Sequence, residues 1–454
     1  MIRDLFFLGV LGSMVALGFW RPFLFIPAFI YADLARPQYL SYSLLQPIPV
    51  SQILFFFAFL SWLFSRSGHG GSWGLRQLLL VGLLFYCGLT TLFADYPDSA
   101  LDKWDWVWKV LAFALLLPLT LVSRLRVEAI LLVTVLSVAA NSLSSAGKTL
   151  LGGSRYGSAT MLIESNSGMY ESSTFACLAI AIIPMILCLF RQGTIFPAKS
   201  RWVRLFCLGL IMASLLVPVA TEARTGLACV VMLALLLLRF VKRPLLYLIG
   251  APVLMAFAIP ILPASFMERM ATLNAVGADS SAAVRLAVWR WTLEYAVQHP
   301  FGGGFDAYLG NQLRIDLTLN ARLDADNQSA AGPGGIITQS ARAFHSAYFE
   351  MLGEQGWPGL FLWLILHAAG LIRMEQLYRR HRREGPQHDP WLATIALGLQ
   401  QAHIIYLTGA LFVGIAFNPF AFHLIGMEIA LRNLSRRAQA SLGPNASGPH
   451  LFAR

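Results

Sequence analysis

Apolar residues run along this chain in stretches of the length that crosses a bilayer, about twenty at a time, nearly from one end to the other. The pattern pauses once, between Pro263 and His345. Runs such as Leu205 to Ala220 and Leu227 to Leu238 are apolar on nearly every face, which predicts buried helices; a barrel would need short segments of alternating polarity. The pattern predicts spans near 5–30, 50–64, 77–93, 106–122, 127–146, 174–190, 205–221, 225–239, 244–262, 346–372, 391–417 and 420–432. The first run is interrupted at Trp20-Arg21-Pro22 and is either one broken helix or a pair; it reads as a retained anchor, because no small-residue cleavage site follows Gly18.

Charge then sets the expected sidedness. Basic linkers fall at Arg191 to Arg204, Arg239 to Arg243 and Arg373 to Glu384, which the positive-inside rule places in the cytoplasm. Ala94 to Asp105 carries Asp95, Asp98, Asp102 and Asp105 against a lone Lys103, so it is expected on the opposite face. Both termini are then cytoplasmic, and the long polar loop is extracytoplasmic together with 147–173 and the turn at Glu222. The expected organisation is a transmembrane bundle over 1–262, a loop with amphipathic helices over 263–345, C-terminal membrane helices over 346–432, and a disordered cytoplasmic tail over 433–454. The fold class is an all-α polytopic membrane protein of about twelve spans with one large, mainly helical loop.

Composition agrees: 57% of residues are hydrophobic and 13% charged, against about 25% charged in a typical soluble domain. The net charge of +11 does not imply nucleic acid, since the basic residues punctuate the apolar runs and form no stripe; membrane lipids are the expected surroundings. Cys87, Cys177, Cys188, Cys207 and Cys229 lie inside apolar runs without a C-x-x-C pair, and read as inert buried side chains.

Within the long loop, 282–299 predicts an amphipathic helix with Val284, Val288, Trp291 and Tyr295 on one face and Arg285 on another; Gly302 to Gly304 end it as a turn. His345 opens the return into the membrane. It suits either a general base acting on a hydroxyl or an interfacial histidine that only caps. Arg224, beside Glu222 in a tight turn, is either a fixed fork for phosphate or a snorkelling arginine paired with Glu222. Arg285 is ambiguous in the same way, and Arg290, with Glu294 four residues on, reads first as a solvated helix face. Asp324-Ala325-Asp326 has the D-x-D form of a divalent-metal site, but two carboxylates are too few and no metal is expected. Ionisable residues are scarce at the span centres, which counts against a proton-coupled transporter.

The motifs Thr-Glu-Ala-Arg-Thr-Gly at 221–226, Arg285-Leu-Ala-Val-Trp289 and His-Ser-Ala-Tyr-Phe-Glu-Met-Leu-Gly-Glu-Gln-Gly-Trp-Pro-Gly-Leu at 345–360 resemble the bacterial O-antigen ligase family. From Met1-Ile-Arg-Asp4 through Asp102-Lys-Trp104 the chain also looks like ligases found beside exosortase systems. The resemblance implies a glycosyltransferase C-like fold and transfer of a glycan from undecaprenyl pyrophosphate to a hydroxyl of lipid A-core, at the periplasmic face of the inner membrane. It implies no cofactor. It also implies His345 as the essential histidine, and Arg224 and Arg285 as ligands of the donor pyrophosphate. Arg290, Arg342, Glu222 and Tyr348 are further candidates. Glu222-Ala223-Arg224-Thr225 stands where many relatives have a Ser-Arg-Gly turn. An O-antigen polymerase, an O-linked protein oligosaccharyltransferase and, from another class, a lipid-linked glycan flippase are the alternatives.

Overall fold

The computed structural model describes residues 2–37, 44–46, 48–64, 73–150, 171–195, 200–244, 246, 250, 280–316, 336–385 and 387–441. Its helices are α1 (Ile2–Trp20), α2 (Phe25–Ala35), α3 (Val50–Leu63), α4 (Leu75–Leu92), α5 (Pro97–Thr120), α6 (Arg124–Leu150), α7 (Ser172–Gln192), α8 (Arg201–Ala220), α9 (Arg224–Leu238), α10 (Ser280–Gln298), α11 (Ala347–Arg382), α12 (Pro390–Ala410) and α13 (Pro419–Ser441). Five described helices are long and apolar enough to cross a membrane: α4, α6, α7, α8 and α11. Each expected span falls on a described helix except 244–262, most of which lies outside the described residues.

One alternative left open by the sequence is decided and two boundaries differ from its reading, each for a local reason. The first run is two helices, because Pro22 opens a 3-10 turn and restarts the chain at Phe25. The span expected to reach 417 ends at Ala410, and a turn ahead of Pro419 carries Gly414 to Asn418 across the end of the bundle. At the other end α13 continues through Ser441, so helix covers the first residues of the expected tail; 442–454 lie outside the described residues. A two-stranded antiparallel hairpin, β1 (Gln312–Asp316) on β2 (Ile336–Ser340), is an addition that helical periodicity could not announce.

Helix α7 is the central post. Most of its residues are buried, and α12 approaches it closely because Gly409 faces Cys177 and Gly398 faces Cys188, where a larger side chain would collide. All five cysteines are free thiols, four of them buried. Large apolar side chains such as Phe6, Phe85 and Trp202 point outward, as suits a hydrocarbon surrounding.

One junction sets the geometry of the site. Helix α11 is kinked at Gly356, whose φ of 63° is left-handed, and Pro358 follows. The Gly302 to Gly304 turn docks into that kink: Gly303 and Gly304 donate to the carbonyls of Gly353 (3.1 Å) and Glu354 (3.0 Å), and Trp357 donates to Pro300 (3.0 Å). Asp95 in turn donates to the Gly303 carbonyl (2.8 Å), tying in the acidic segment ahead of α5. A Cβ on Gly302, itself at φ 88°, would press on the backbone of Glu354 and Gly356. Gly302→Ala is therefore expected to lower the thermal stability of the purified protein by at least about 1–2 kcal/mol, the cost of the left-handed backbone alone; an unchanged melting temperature would show that the junction yields.

Candidate active site

Helix α10 lies over the end of the bundle because its apolar face has partners there. Val288 is fully buried with Leu313 and Phe344, Trp289 stacks on Phe349 at 4.9 Å and donates to the Phe344 carbonyl at 2.9 Å. On its far end Tyr295 stacks on His299 and hydrogen-bonds Asp95. These contacts fix the chain on either side of His345. That residue adopts a left-handed backbone, φ 51°, immediately before Ser346, the residue from which α11 starts. Non-glycine residues in this region carry strain that surrounding structure must hold, and Glu222, Asp306, Ala341 and His345 all do so around this end of the protein.

His345 borders a cavity of about 410 Å³. Burial, then the nearby Arg285 and Arg342 guanidinium groups, push its pKa below the usual histidine range. A lowered pKa keeps the imidazole neutral, and so able to take a proton, at pH values where an exposed histidine would be charged. Removing Arg342 by Arg342→Gln should raise the midpoint of the acid limb of the pH–rate profile, moving it toward the ordinary histidine value; a midpoint that stays put or falls would separate this arginine from His345.

The opposite wall is acidic. Lys103 from α5 reaches Glu350 (2.8 Å), Glu354 (2.7 Å) and Asp306 (3.7 Å). Glu350 also accepts from the Ala416 amide (2.9 Å), Glu354 from the Asp306 amide (3.1 Å), and Asp306 from Ser99 (2.6 Å). Glu171, at the entrance to α7, borders the same cavity; burial raises its pKa while Thr174 and Arg285 oppose the rise.

The structure thus brings Arg285, Arg342 and His345 together. Arg224 opens α9 in a turn where Glu222 has φ 50°; Ala223 packs with Phe175 and Ala176 of α7, one turn from Glu171, and Arg224 does not border the cavity. Arg290 is exposed and pairs with Glu294 at 3.0 Å, the solvated face expected of it. Tyr348 turns away, donating to the Leu407 carbonyl at 3.2 Å and lying edge-on to Trp363. Asp324 and Asp326 lie outside the described residues. Lys103, Asp306, Glu171, Glu350 and Glu354 are the site members that sequence reasoning missed. Ser346, Glu350 and Glu354 recur every fourth residue, on one face of a helix entering the membrane, and that periodicity was the available signal.

A second polar group is buried in the bundle, one of the few sites where the scarce ionisable residues of the spans meet. Arg76 of α4 pairs with Glu428 of α13 (2.6 Å), Glu428 with His403 of α12 (2.8 Å), and His403 with His367 of α11 (2.6 Å); all four are buried. Four helices are joined by this chain of contacts. It does not border the cavity.

Two family models cover most of the chain. Residues 2–194 match a family of unknown function (DUF5935), and residues 208–364 match the family described as O-Antigen ligase. No curated protein matches the chain. His345, Arg224, Arg285, Glu350 and Glu354 fall within the second match, and Lys103 and Glu171, which also line the cavity, fall within the first; the lining residues from Gly414 to Pro419 fall in neither. The stretch that carries the histidine, the arginines and three of the five wall carboxylates, residues 208–364, is therefore the part of the chain that matches the O-antigen ligase family.

Proposed function

We propose that the protein is an O-antigen ligase: a metal-independent glycosyltransferase that moves a glycan from undecaprenyl pyrophosphate to a hydroxyl of lipid A-core, at the periplasmic face of the bacterial inner membrane. The observation that carries this reading is His345, held in a left-handed backbone at the edge of a cavity, its pKa lowered by burial and two arginines.

The donor already contains its leaving group, so the protein has to hold the pyrophosphate, offset the charge growing on the bridging oxygen, and align the acceptor. Arg285 is suited to the first two tasks, with Arg224 completing the grip from the turn before α9. The acceptor oxygen bonds to the anomeric carbon as the bond from that carbon to the pyrophosphate oxygen breaks. His345 takes the acceptor proton, and the bonding pair leaves with undecaprenyl pyrophosphate. A single displacement of this kind inverts the anomeric centre.

The test is transfer by purified protein in detergent, with chelator present, from undecaprenyl-pyrophosphate glycan to lipid A-core. One inverted glycan per acceptor is the expected product; retained configuration would eliminate direct displacement, and growth of the donor on itself would make the protein a polymerase. Arg285→Ala should reduce donor use by more than Arg285→Lys, because lysine keeps the charge and loses the fork. Equal rates for the two variants and wild type would remove Arg285 from the donor site.

A further inference from the structure

The charged lining of the cavity beside His345 is mostly acidic. Its wall carries Asp102, Glu171, Asp306, Glu350 and Glu354. Lys103 is shared among three of these carboxylates and so offers little to an incoming anion. Arg285 and Arg342 act on His345 without lining the cavity themselves, and Arg285 acts on Glu171 as well. The wall also has an unfilled bond: Glu354 is fully buried, its Oε1 is engaged by Lys103 and the Asp306 amide, and its Oε2 has no hydrogen-bond partner among the described residues. A buried carboxyl oxygen left in this way is costly, and a hydroxyl, which both donates and accepts, can meet it in either protonation state. Trp106, Tyr308 and Phe417 supply apolar faces alongside, the mixture of flat apolar surface and few fixed polar groups that small-molecule sites use.

We infer that the acidic wall selects the acceptor, admitting a sugar whose reacting end is uncharged, with one of its hydroxyls on Glu354 Oε2. This rests on the transferase reading above and specifies its acceptor. A phosphate carried on the reacting sugar would be forced against Asp306 and Glu350, where like charges in a partly desolvated site repel strongly. The same repulsion disfavours the donor pyrophosphate beside Asp306 and Glu350.

Two synthetic lipid-anchored core oligosaccharides test this, one ending in an unmodified hexose and the other bearing a phosphomonoester on that hexose. With full-length protein in detergent and a fixed donor, kcat/KM for the neutral acceptor is expected to exceed that for the phosphorylated one by at least about tenfold, the scale of one like-charge contact. Asp306→Asn should narrow the ratio while leaving the KM for donor unchanged; Glu350→Gln serves if that variant fails to fold. Equal use of the two acceptors by wild type, or a ratio unmoved in a folded variant, overturns the selection and leaves the ligase reading standing. Transfer to neither acceptor overturns both.

Discussion

Replacing His345 with asparagine is expected to lower the transfer rate by about 10²–10⁴-fold, the usual contribution of a positioned base, while the protein remains folded. Asparagine is the informative choice. At φ 51° an alanine would add backbone strain to the loss of the imidazole, whereas asparagine tolerates the left-handed region and cannot accept the acceptor's proton at neutral pH. His345→Ala should then show the same rate loss together with a lower melting temperature. Rates within about threefold of wild type for the folded asparagine variant would end the base assignment, since that is well under the about 1.4 kcal/mol of barrier that a tenfold rate change represents.

The second large effect is on stability. Glu428→Ala should destabilise the protein by about 3–5 kcal/mol, because it leaves the Arg76 guanidinium buried without its carboxylate and deprives His403 Nδ1 of its acceptor. With Glu428 accepting from His403 Nδ1–H, a neutral His403 presents Nε2 to His367, so one removal disturbs all three links. Changing both Arg76 and Glu428 to apolar residues of similar size is expected to recover much of the loss, since a buried pair is often no better than a packed apolar pair. Thermal melts in one detergent decide the matter: a single variant as stable as wild type would mean that the contact carries no folding energy.

Much of the helical frame was legible because hydrophobic runs and prolines are local signals. The amphipathic segment expected over 282–299 is α10 at 280–298, and Trp20-Arg21-Pro22 marks the break between α1 and α2. Within the site, His345 announced itself by standing at a polar-to-apolar transition. Lys103 did not: in sequence it is one cation among four aspartates, and its partners Glu350 and Glu354 follow 247 and 251 residues later. The Arg76, Glu428, His403 and His367 group was hidden for the same reason. Each member is a single polar residue in its own helix, and only tertiary packing shows that they meet. The β1–β2 hairpin had one local signal, the polar–apolar alternation of Gln312-Leu313-Arg314-Ile315-Asp316, but its partner Ile336–Ser340 lacks that alternation and lies beyond a long polar insert, so the pairing was not legible.

The Arg76 contact also bears on how the protein is made. Its partner Glu428 lies 352 residues further along the chain. At about 5–20 residues per second, ribosomes deliver that partner roughly 20 to 70 s after the arginine has left the exit tunnel. During that interval α4 must enter the bilayer with its cation uncompensated. Arg76 is the second residue of α4, where a long side chain can reach the headgroup layer and wait there. The same arginine moved two turns inward would have no such refuge, and insertion of the helix, before any folding, would then limit the yield of the protein.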